Sequence, residues 1–154
     1  ESYIGKTCAS QIIECYEAYG LPVVSMHEVP KEQVVHYGIM HGVWESTKEE
    51  QMRLDCIYEK PTVDYAEENL GIRCKNGSRY FAVFGQYILT EDVYKVLEKN
   101  IRENKESRGE IQLTDALEEV RATTGMMGCR IKGKSYDVGL PQMYIETVRE
   151  FGRI

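Results

Sequence analysis

The sequence predicts an α/β domain whose sheet is mixed, with one antiparallel excursion. Segments with helical spacing of apolar residues alternate with short apolar runs typical of strands, and a glycine, proline or threonine stands at most junctions. The chain of 154 residues is long enough for a full core, because a domain of that size buries roughly two-thirds of its unfolded surface. We therefore expect residues 1–154 to form one domain.

The first elements are a helix, a strand and a short helical stretch. Apolar side chains at helical spacing predict a helix over residues 7–19, and Gly20 is a natural stop. The apolar run over residues 21–29 predicts a strand. Pro30 is tolerated in a first helical turn, so a short helix is expected to begin there and to end at Gly38.

Two strand-like runs, Ile39–Ser46 and Met52–Glu59, are joined by a charged turn and predict a β-hairpin. Successive side chains of a strand point to opposite faces, so unbroken alternation predicts two distinct faces for the second strand. One face is expected to carry Met52, Leu54, Cys56 and Tyr58, and the other Arg53, Asp55, Ile57 and Glu59.

The second half predicts a buried strand and three helices. The polar segment Thr62–Arg79 is expected to be loop or short irregular helix, and Tyr80–Leu89 a buried strand. Thr90 can cap the next helix, another is expected over residues 111–122, and one or two short strands precede a last helix over residues 141–151. The expected apolar stripes of the first two helices are Val93, Val96, Leu97 and Ile101, and Leu113, Ala116, Leu117 and Val120.

Charge and cysteine content restrict the class of protein. The net charge of -6 argues against a nucleic-acid or anionic-membrane surface. No apolar run approaches the 18 or so residues of a membrane-spanning helix. The five cysteines are odd in number and form no CxxC pair, which indicates free thiols in a reducing cytoplasm.

Three short stretches could carry chemistry, and each also has a plain structural explanation. Glu59 and Lys60 are favoured as a solvated strand end when taken alone, although the ammonium could neutralise a phosphate and the carboxylate could accept sugar hydroxyls. Gly85 indicates a β-bulge, the commoner case, or a close approach of a ligand to the backbone. Asp137, before a glycine turn, either stabilises that turn or binds a hard cation such as Mg²⁺.

Taken together, five motifs resemble the bacterial UDP-glucose pyrophosphorylases, the UTP–glucose-1-phosphate uridylyltransferases of the sugar-phosphate nucleotidyltransferase superfamily. They are YG at Tyr37-Gly38, EKP at Glu59–Pro61, GQYIL at Gly85–Leu89, GEIQLTDAL at Gly109–Leu117 and GKSYDVG at Gly133–Gly139. The resemblance covers residues 8–151. EIQLTDAL followed by YDVG is its most specific part, whereas EKP is shared more widely among sugar-nucleotide pyrophosphorylases.

The resemblance implies the C-terminal portion of a three-layer α/β/α nucleotidyltransferase fold and a nucleotidyl transfer. The phosphate of glucose 1-phosphate attacks the α-phosphorus of UTP and gives UDP-glucose and pyrophosphate. By the same resemblance Glu59 binds sugar hydroxyls, and Lys60 is the catalytic residue that binds the sugar phosphate. Gly85 contacts the sugar through its backbone, and Tyr37 and Gly38 lie along the sugar-binding side.

The resemblance further implies that Asp137 is a ligand of the required Mg²⁺. The implied partners are UTP and glucose 1-phosphate, with no nucleic acid and no membrane, and a homo-oligomer is expected because members of the family are commonly dimers or tetramers. The implied location is the cytoplasm.

The sequence departs from the family at three points. It has no glycine-rich loop of the GxGxRxxPxTK type, so we expect it to be the C-terminal, sugar-phosphate half of a longer enzyme and inactive alone. The stretch Gly71–Tyr80 is longer and more basic than usual in the family, so the identity of the sugar stays an open question. Gln86 stands where a basic residue is common.

Two alternatives stay open at this point. The first is another sugar-1-phosphate nucleotidyltransferase, thymidylyl or adenylyl, because base recognition lies largely in the half that carries the glycine-rich loop. The EIQLTDAL motif favours the uridylyl branch. The second is a non-catalytic sugar-nucleotide-binding module, which a glycine-rich loop encoded upstream of Glu1 would exclude.

Overall fold

The computed structural model describes residues 5–75, 77–107, 109–133 and 141–152, except the side chains at positions 142 and 143. The helices are α1 (Cys8–Tyr19), α2 (Val63–Asn69), α3 (Glu91–Arg102), α4 (Leu113–Thr124) and α5 (Pro141–Phe151), with a 3₁₀ helix at Lys31–His36. The strands are β1 (Val23–Val29), β2 (Gly38–Trp44), β3 (Gln51–Glu59), β4 (Ile72–Cys74), β5 (Gly77–Ile88) and β6 (Met127–Arg130). No helix among these is long and apolar enough to cross a bilayer.

Five of the strands form a closed ring of pairings, in which each strand is hydrogen-bonded to two others. β1 pairs with β6, β6 with β3, β3 with β2, β2 with β5, and β5 returns to β1, while β4 is added beside β5. Within the described residues β1 and β6 form the single parallel pair. The mixed α/β sheet is confirmed, but antiparallel pairing is more extensive than predicted, because the connections from β2 to β3 and from β4 to β5 are too short for a parallel crossover.

Helices cover the sheet on both faces. α1 packs Ile12 and Cys15 into a core cluster that includes Val23 of β1. α3 and α4 cover the opposite face, where Leu117 belongs to a cluster with Val24. Neighbouring residues of β1 thus point into different cores, as strand alternation requires. This arrangement agrees with the predicted α/β/α layers.

The predicted helices are confirmed, with one error in α3. Thr7 caps α1 by accepting a hydrogen bond from the Ser10 N–H at 3.1 Å, and Gly20 ends it in the left-handed conformation at φ 65°. Thr90 precedes α3 as predicted. Ile101 was expected in the buried stripe of that helix, yet it is 62% exposed. The apolar stripe of α3 therefore ends before its last turn.

Residues 62–79 contain more regular structure than predicted. Thr62 caps the regular helix α2 by accepting a hydrogen bond from the Tyr65 N–H at 3.2 Å. The strands β4 and β5 then form a hairpin in which Cys74 is opposite Gly77. The expectation of loop or irregular helix was wrong for the hairpin, since propensity alone does not reveal strand pairing. The stretch Gly71–Tyr80 thus contains β4 and the start of β5.

A β-bulge breaks the alternation predicted for β3. His41 of β2 pairs with Cys56 and the next residue, Gly42, pairs with Leu54, so no residue of β2 stands opposite Asp55 in the strand register. An extra residue on one strand moves every later side chain to the opposite face. The side chains of β3 therefore change face at Asp55.

The bulge overturns the predicted faces of β3. Ile57 belongs to the same core cluster as Met52, whereas Cys56 packs against the cluster on the other side of the sheet. The Tyr58 ring lies on that other side too, 4.4 Å from the Tyr65 ring of α2. As a result Glu59, two residues after Ile57, lies on the face covered by α4.

Candidate active site

The start of β2 and the end of β3 bring four of the predicted site residues together. Gly38 pairs with Glu59 across the hairpin. The Lys60 N–H donates a hydrogen bond to the Tyr37 carbonyl oxygen at 2.9 Å, which extends the pairing by one step. These four residues form one rim, which we call the hairpin rim.

The carboxylate of Glu59 lies in a narrow slot between β2 and α4. Its Oε2 accepts a hydrogen bond from Thr114 Oγ1 at 2.7 Å, and its Oε1 lies 3.6 Å from Lys60 Nζ. The side chain is only 15% exposed. Thr114 is in the first turn of α4, where the helix dipole also favours a negative charge. Protein contacts therefore fix the position of this carboxylate.

Lys60 has a strained backbone. Its φ is 46°, which is uncommon for a residue with a side chain and costs about 1–2 kcal/mol. Pro61 follows and is buried, so the chain turns sharply at this point. The ammonium of Lys60 lies beside Glu59, and its side chain is 43% exposed. Backbone strain of this kind often clusters at functional sites, although Glu49 and Asn104 of this chain also have a positive φ.

Gly85 occupies a bulge of β5. Val24 pairs with Tyr87 and Ser25 with Phe84, which leaves Gly85 and Gln86 between the two pairs. The bulge predicted for this glycine is therefore confirmed. A Cβ at Gly85 would meet no atom within 4 Å, and its φ lies outside the left-handed region. Neither packing nor backbone conformation requires a glycine here, which supports the predicted approach of a ligand.

Aromatic rings connect this bulge to the hairpin rim. The His27 ring lies 5.0 Å from the Phe84 ring and 5.9 Å from the Tyr37 ring, edge-on to both. His27 Nδ1 is buried without a hydrogen-bond partner in the described structure, and burial lowers the pKa of this histidine. The ring is therefore neutral at pH 7 and acts as an apolar support.

Tyr87 brings the end of β5 close to Glu59. Burial raises the pKa of the Tyr87 hydroxyl, and the negative charge of Glu59 raises it further. Both effects oppose the phenolate, so the Tyr87 hydroxyl is neutral at this site.

An open cleft adjoins the site. It has a volume of about 530 Å³ and runs from Glu59 along α4, with Tyr58, Lys105, Asp115 and Glu119 in its lining. A volume of this order suits a small ligand. Lys105 Nζ lies 3.2 Å from Glu119 Oε2, so at least part of the charge in the cleft is balanced.

The predicted metal ligand, Asp137, lies outside the described residues. Within the ranges that are described, no three His, Cys, Asp or Glu side chains are grouped closely enough to hold a metal ion. The described residues alone do not make a metal site, and the Mg²⁺ ligand remains a prediction.

Sequence reasoning missed three residues that contribute to this site. Thr114 belongs to the EIQLTDAL motif, which was singled out for its specificity without a role for this residue. Tyr87 belongs to the GQYIL motif, in which only Gly85 was given a role. His27 carried no signal, because a lone histidine in a strand is most often a local core or surface residue.

Comparison with known proteins decides the family. Residues 5–152 match the sequence model of the nucleotidyl transferase family. The chain belongs to this family. Among curated nucleotidyl transferases, the UTP–glucose-1-phosphate uridylyltransferase of Pseudomonas aeruginosa is 30% identical over 143 residues, which is 93% of this chain and 46% of that protein. A putative uridylyltransferase of the same name from Methanocaldococcus jannaschii is 32% identical over 153 residues, or 99% and 48% of the two chains.

Solved structures of nucleotidyl transferases confirm the fold. A UDP-glucose pyrophosphorylase complexed with UDP-glucose matches with a TM-score of 0.80 and 28% identity, over 99% of this chain and 52% of that one. A UTP-bound UGPase from Acinetobacter baumannii matches with a TM-score of 0.73 and 26% identity, over 99% and 47%. The chain spans about half the length of the curated relatives it matches. The resemblance to UDP-glucose pyrophosphorylases is thereby confirmed.

Proposed function

We propose that this chain provides the sugar-phosphate half of a nucleotidyltransferase that transfers the uridylyl group of UTP to glucose 1-phosphate, giving UDP-glucose and pyrophosphate. One observation carries the proposal. The Glu59 carboxylate is fixed by Thr114 and presents its Oε1 beside the Lys60 ammonium at 3.6 Å. A carboxylate next to an ammonium is complementary to a sugar that bears hydroxyls and a phosphate.

Each residue of the site has a defined task in this proposal. Lys60 neutralises and orients the phosphate of glucose 1-phosphate, which is the nucleophile. Glu59 accepts hydrogen bonds from sugar hydroxyls, and the backbone of Gly85 lines the sugar. Tyr37 and Gly38 complete the wall beside them. Since UTP is already activated, the protein contributes mainly position and charge neutralisation, and each charge-assisted bond contributes about 1.5–3 kcal/mol.

Mg²⁺ and Asp137 belong to the same proposal. Bound Mg²⁺ would neutralise phosphate oxygens, and it takes one or two carboxylates together with them. The expected result is that chelation of divalent cations abolishes the activity of the whole enzyme and that added Mg²⁺ restores it. Asp137→Ala should abolish it without restoration. Full activity in excess chelator would contradict the metal requirement.

The direct test is ligand binding by this chain. Glucose 1-phosphate and UDP-glucose are titrated into the labelled protein and followed by two-dimensional NMR, which detects millimolar affinities. Glu59→Gln and Lys60→Ala should each weaken the binding of glucose 1-phosphate. Lys95→Ala, which changes an exposed lysine on α3, should leave it unaltered. A folded chain that binds neither ligand would refute the proposal.

Base specificity, turnover and assembly need separate measurements. Tighter binding of dTDP-glucose or ADP-glucose than of UDP-glucose by the whole enzyme would favour the thymidylyl or adenylyl alternative. The chain alone should have no turnover, so UDP-glucose synthesis by it would contradict that part of the proposal. The proposed homo-oligomer is tested by sedimentation velocity. The proposed cytoplasmic location, which accords with five free thiols, is tested by cell fractionation.

A further inference from the structure

Thr114 makes a long-range contact that the helix itself does not need. Its hydroxyl donates to Glu59 Oε2 at 2.7 Å, a partner 55 positions earlier in the chain. The N-cap position of α4 is Gln112, which makes no side-chain cap bond, so the Thr114 hydroxyl is not serving as the cap of this helix. The hydroxyl is directed away from its own helix toward the site.

This contact gives the two carboxylate oxygens of Glu59 different surroundings. An ionised carboxylate only accepts, so Thr114 must be the donor. Oε2 is enclosed between that hydroxyl and the Cα of Gly38, where a Cβ would come within 3.0 Å of it. Oε1 is on the side of Lys60. The two oxygens therefore have different surroundings, and Oε1 is the one beside the ammonium.

We propose that Thr114 is a positioning residue that holds Glu59 so that Oε1, next to Lys60, faces the sugar hydroxyls of glucose 1-phosphate. The inference rests on the proposed function, because it assigns the ligand-facing oxygen of that same site. The Thr114 methyl group contributes separately, since its Cγ2 would lie 3.5 Å from a Cβ at Gly38 and fills that side of the slot.

Two substitutions separate the hydroxyl from the methyl. Thr114→Val keeps the shape and removes the donor, and Thr114→Ser keeps the donor and removes the methyl. Each variant is titrated by NMR with glucose 1-phosphate and, separately, with inorganic phosphate. We expect Thr114→Val to lower the affinity for glucose 1-phosphate by about tenfold or more. Thr114→Ser should lower it by no more than about threefold. Inorganic phosphate, which needs Lys60 but no sugar contact, should bind all three proteins alike.

A double-mutant cycle tests whether Thr114 acts through Glu59. In a Glu59→Gln background, Thr114→Val should cause no further loss, because the two residues work as one unit. The inference would be overturned, while the proposed function stands, by either of two results. One is that the affinity losses of the two single variants add in the double variant, and the other is that Thr114→Val weakens glucose 1-phosphate and inorganic phosphate equally. If Thr114→Val does not fold, as judged by circular dichroism, Thr114→Ala takes its place. Failure of the unaltered chain to bind glucose 1-phosphate and UDP-glucose would overturn the proposed function, and this inference with it.

Discussion

Gly38 and Glu59 face each other across β2 and β3 so closely that a Cβ at position 38 would lie 3.0 Å from Glu59 Oε2. The same Cβ would lie 3.2 Å from Val83 Cγ2 on β5. The glycine is thus required by space rather than by backbone conformation. It makes room for a carboxylate that is almost enclosed by protein.

Gly38→Ala should displace the Glu59 carboxylate by a few tenths of an ångström. We expect the free energy of unfolding to fall by about 1–2 kcal/mol, in the range of mild overpacking, and the affinity for glucose 1-phosphate to fall as well. Urea unfolding and NMR titration measure the two effects. An unchanged affinity in a folded variant would show that the position of this carboxylate does not matter for binding.

Gly85→Ala should weaken binding without lowering stability. A methyl group at position 85 meets no protein atom within 4 Å, so stability should be unchanged or rise by about 0.4–1 kcal/mol, because alanine restricts the unfolded chain. Binding of glucose 1-phosphate should nevertheless weaken, because the methyl occupies the predicted path of the sugar. Gln86→Ala, at the neighbouring bulge position, is the control. Normal binding by Gly85→Ala would remove Gly85 from the site.

Lys60 combines a strained backbone with the proposed phosphate contact, so two substitutions should separate stability from function. Lys60→Gly and Lys60→Ala both remove the ammonium and should both weaken binding of glucose 1-phosphate. At φ 46° only glycine is relaxed, so Lys60→Gly should be more stable than Lys60→Ala by about 1 kcal/mol. Thermal and urea unfolding provide the comparison. Equal stability of the two variants would contradict the strain.

The charge of Glu59 should be detectable at Tyr87. Burial and then the Glu59 carboxylate raise the pKa of Tyr87, so Glu59→Gln should lower it, measured by NMR titration of ¹³C-labelled tyrosine. Because the folded pKa lies above the unfolded value, this contribution to stability is present below about pH 10 and is lost as the pH rises through the folded pKa. Glu59→Gln should therefore reduce the alkaline loss of stability. Glu98→Gln, an exposed change on α3, should leave Tyr87 unaffected.

The sequence predicted what local signals determine. α1 was predicted because Thr7 and Gly20 mark its ends, and β5 because the run Tyr80–Leu89 is strongly apolar even though Gly85 interrupts it. The bulge in β3 could not be predicted, because it is a property of the pairing between β2 and β3. A Cβ at Gly42 would lie 2.2 Å from the Arg53 carbonyl oxygen, and this closeness is invisible in either strand alone.

The site was predicted from the resemblance and only partly from the residues. Glu59 and Lys60 are adjacent, so their proximity follows from the chain itself. The bond from Thr114 to Glu59 depends on how α4 lies against β3, which no periodicity encodes. The half-buried histidine ring between Tyr37 and Phe84 is likewise a product of strand order.

The closed order of the five strands sets how the site can move. Within the described structure each of β1, β2, β3, β5 and β6 is hydrogen-bonded to two neighbours in the ring, so none can peel away alone. The amide proton of Ile39, which lies in β2 between β3 and β5, should consequently exchange with solvent only when the whole sheet opens. A ligand meets a backbone that is already ordered, and so loses little affinity to ordering it. Adaptation to different sugars would then fall to side chains such as Lys60, not to the strands.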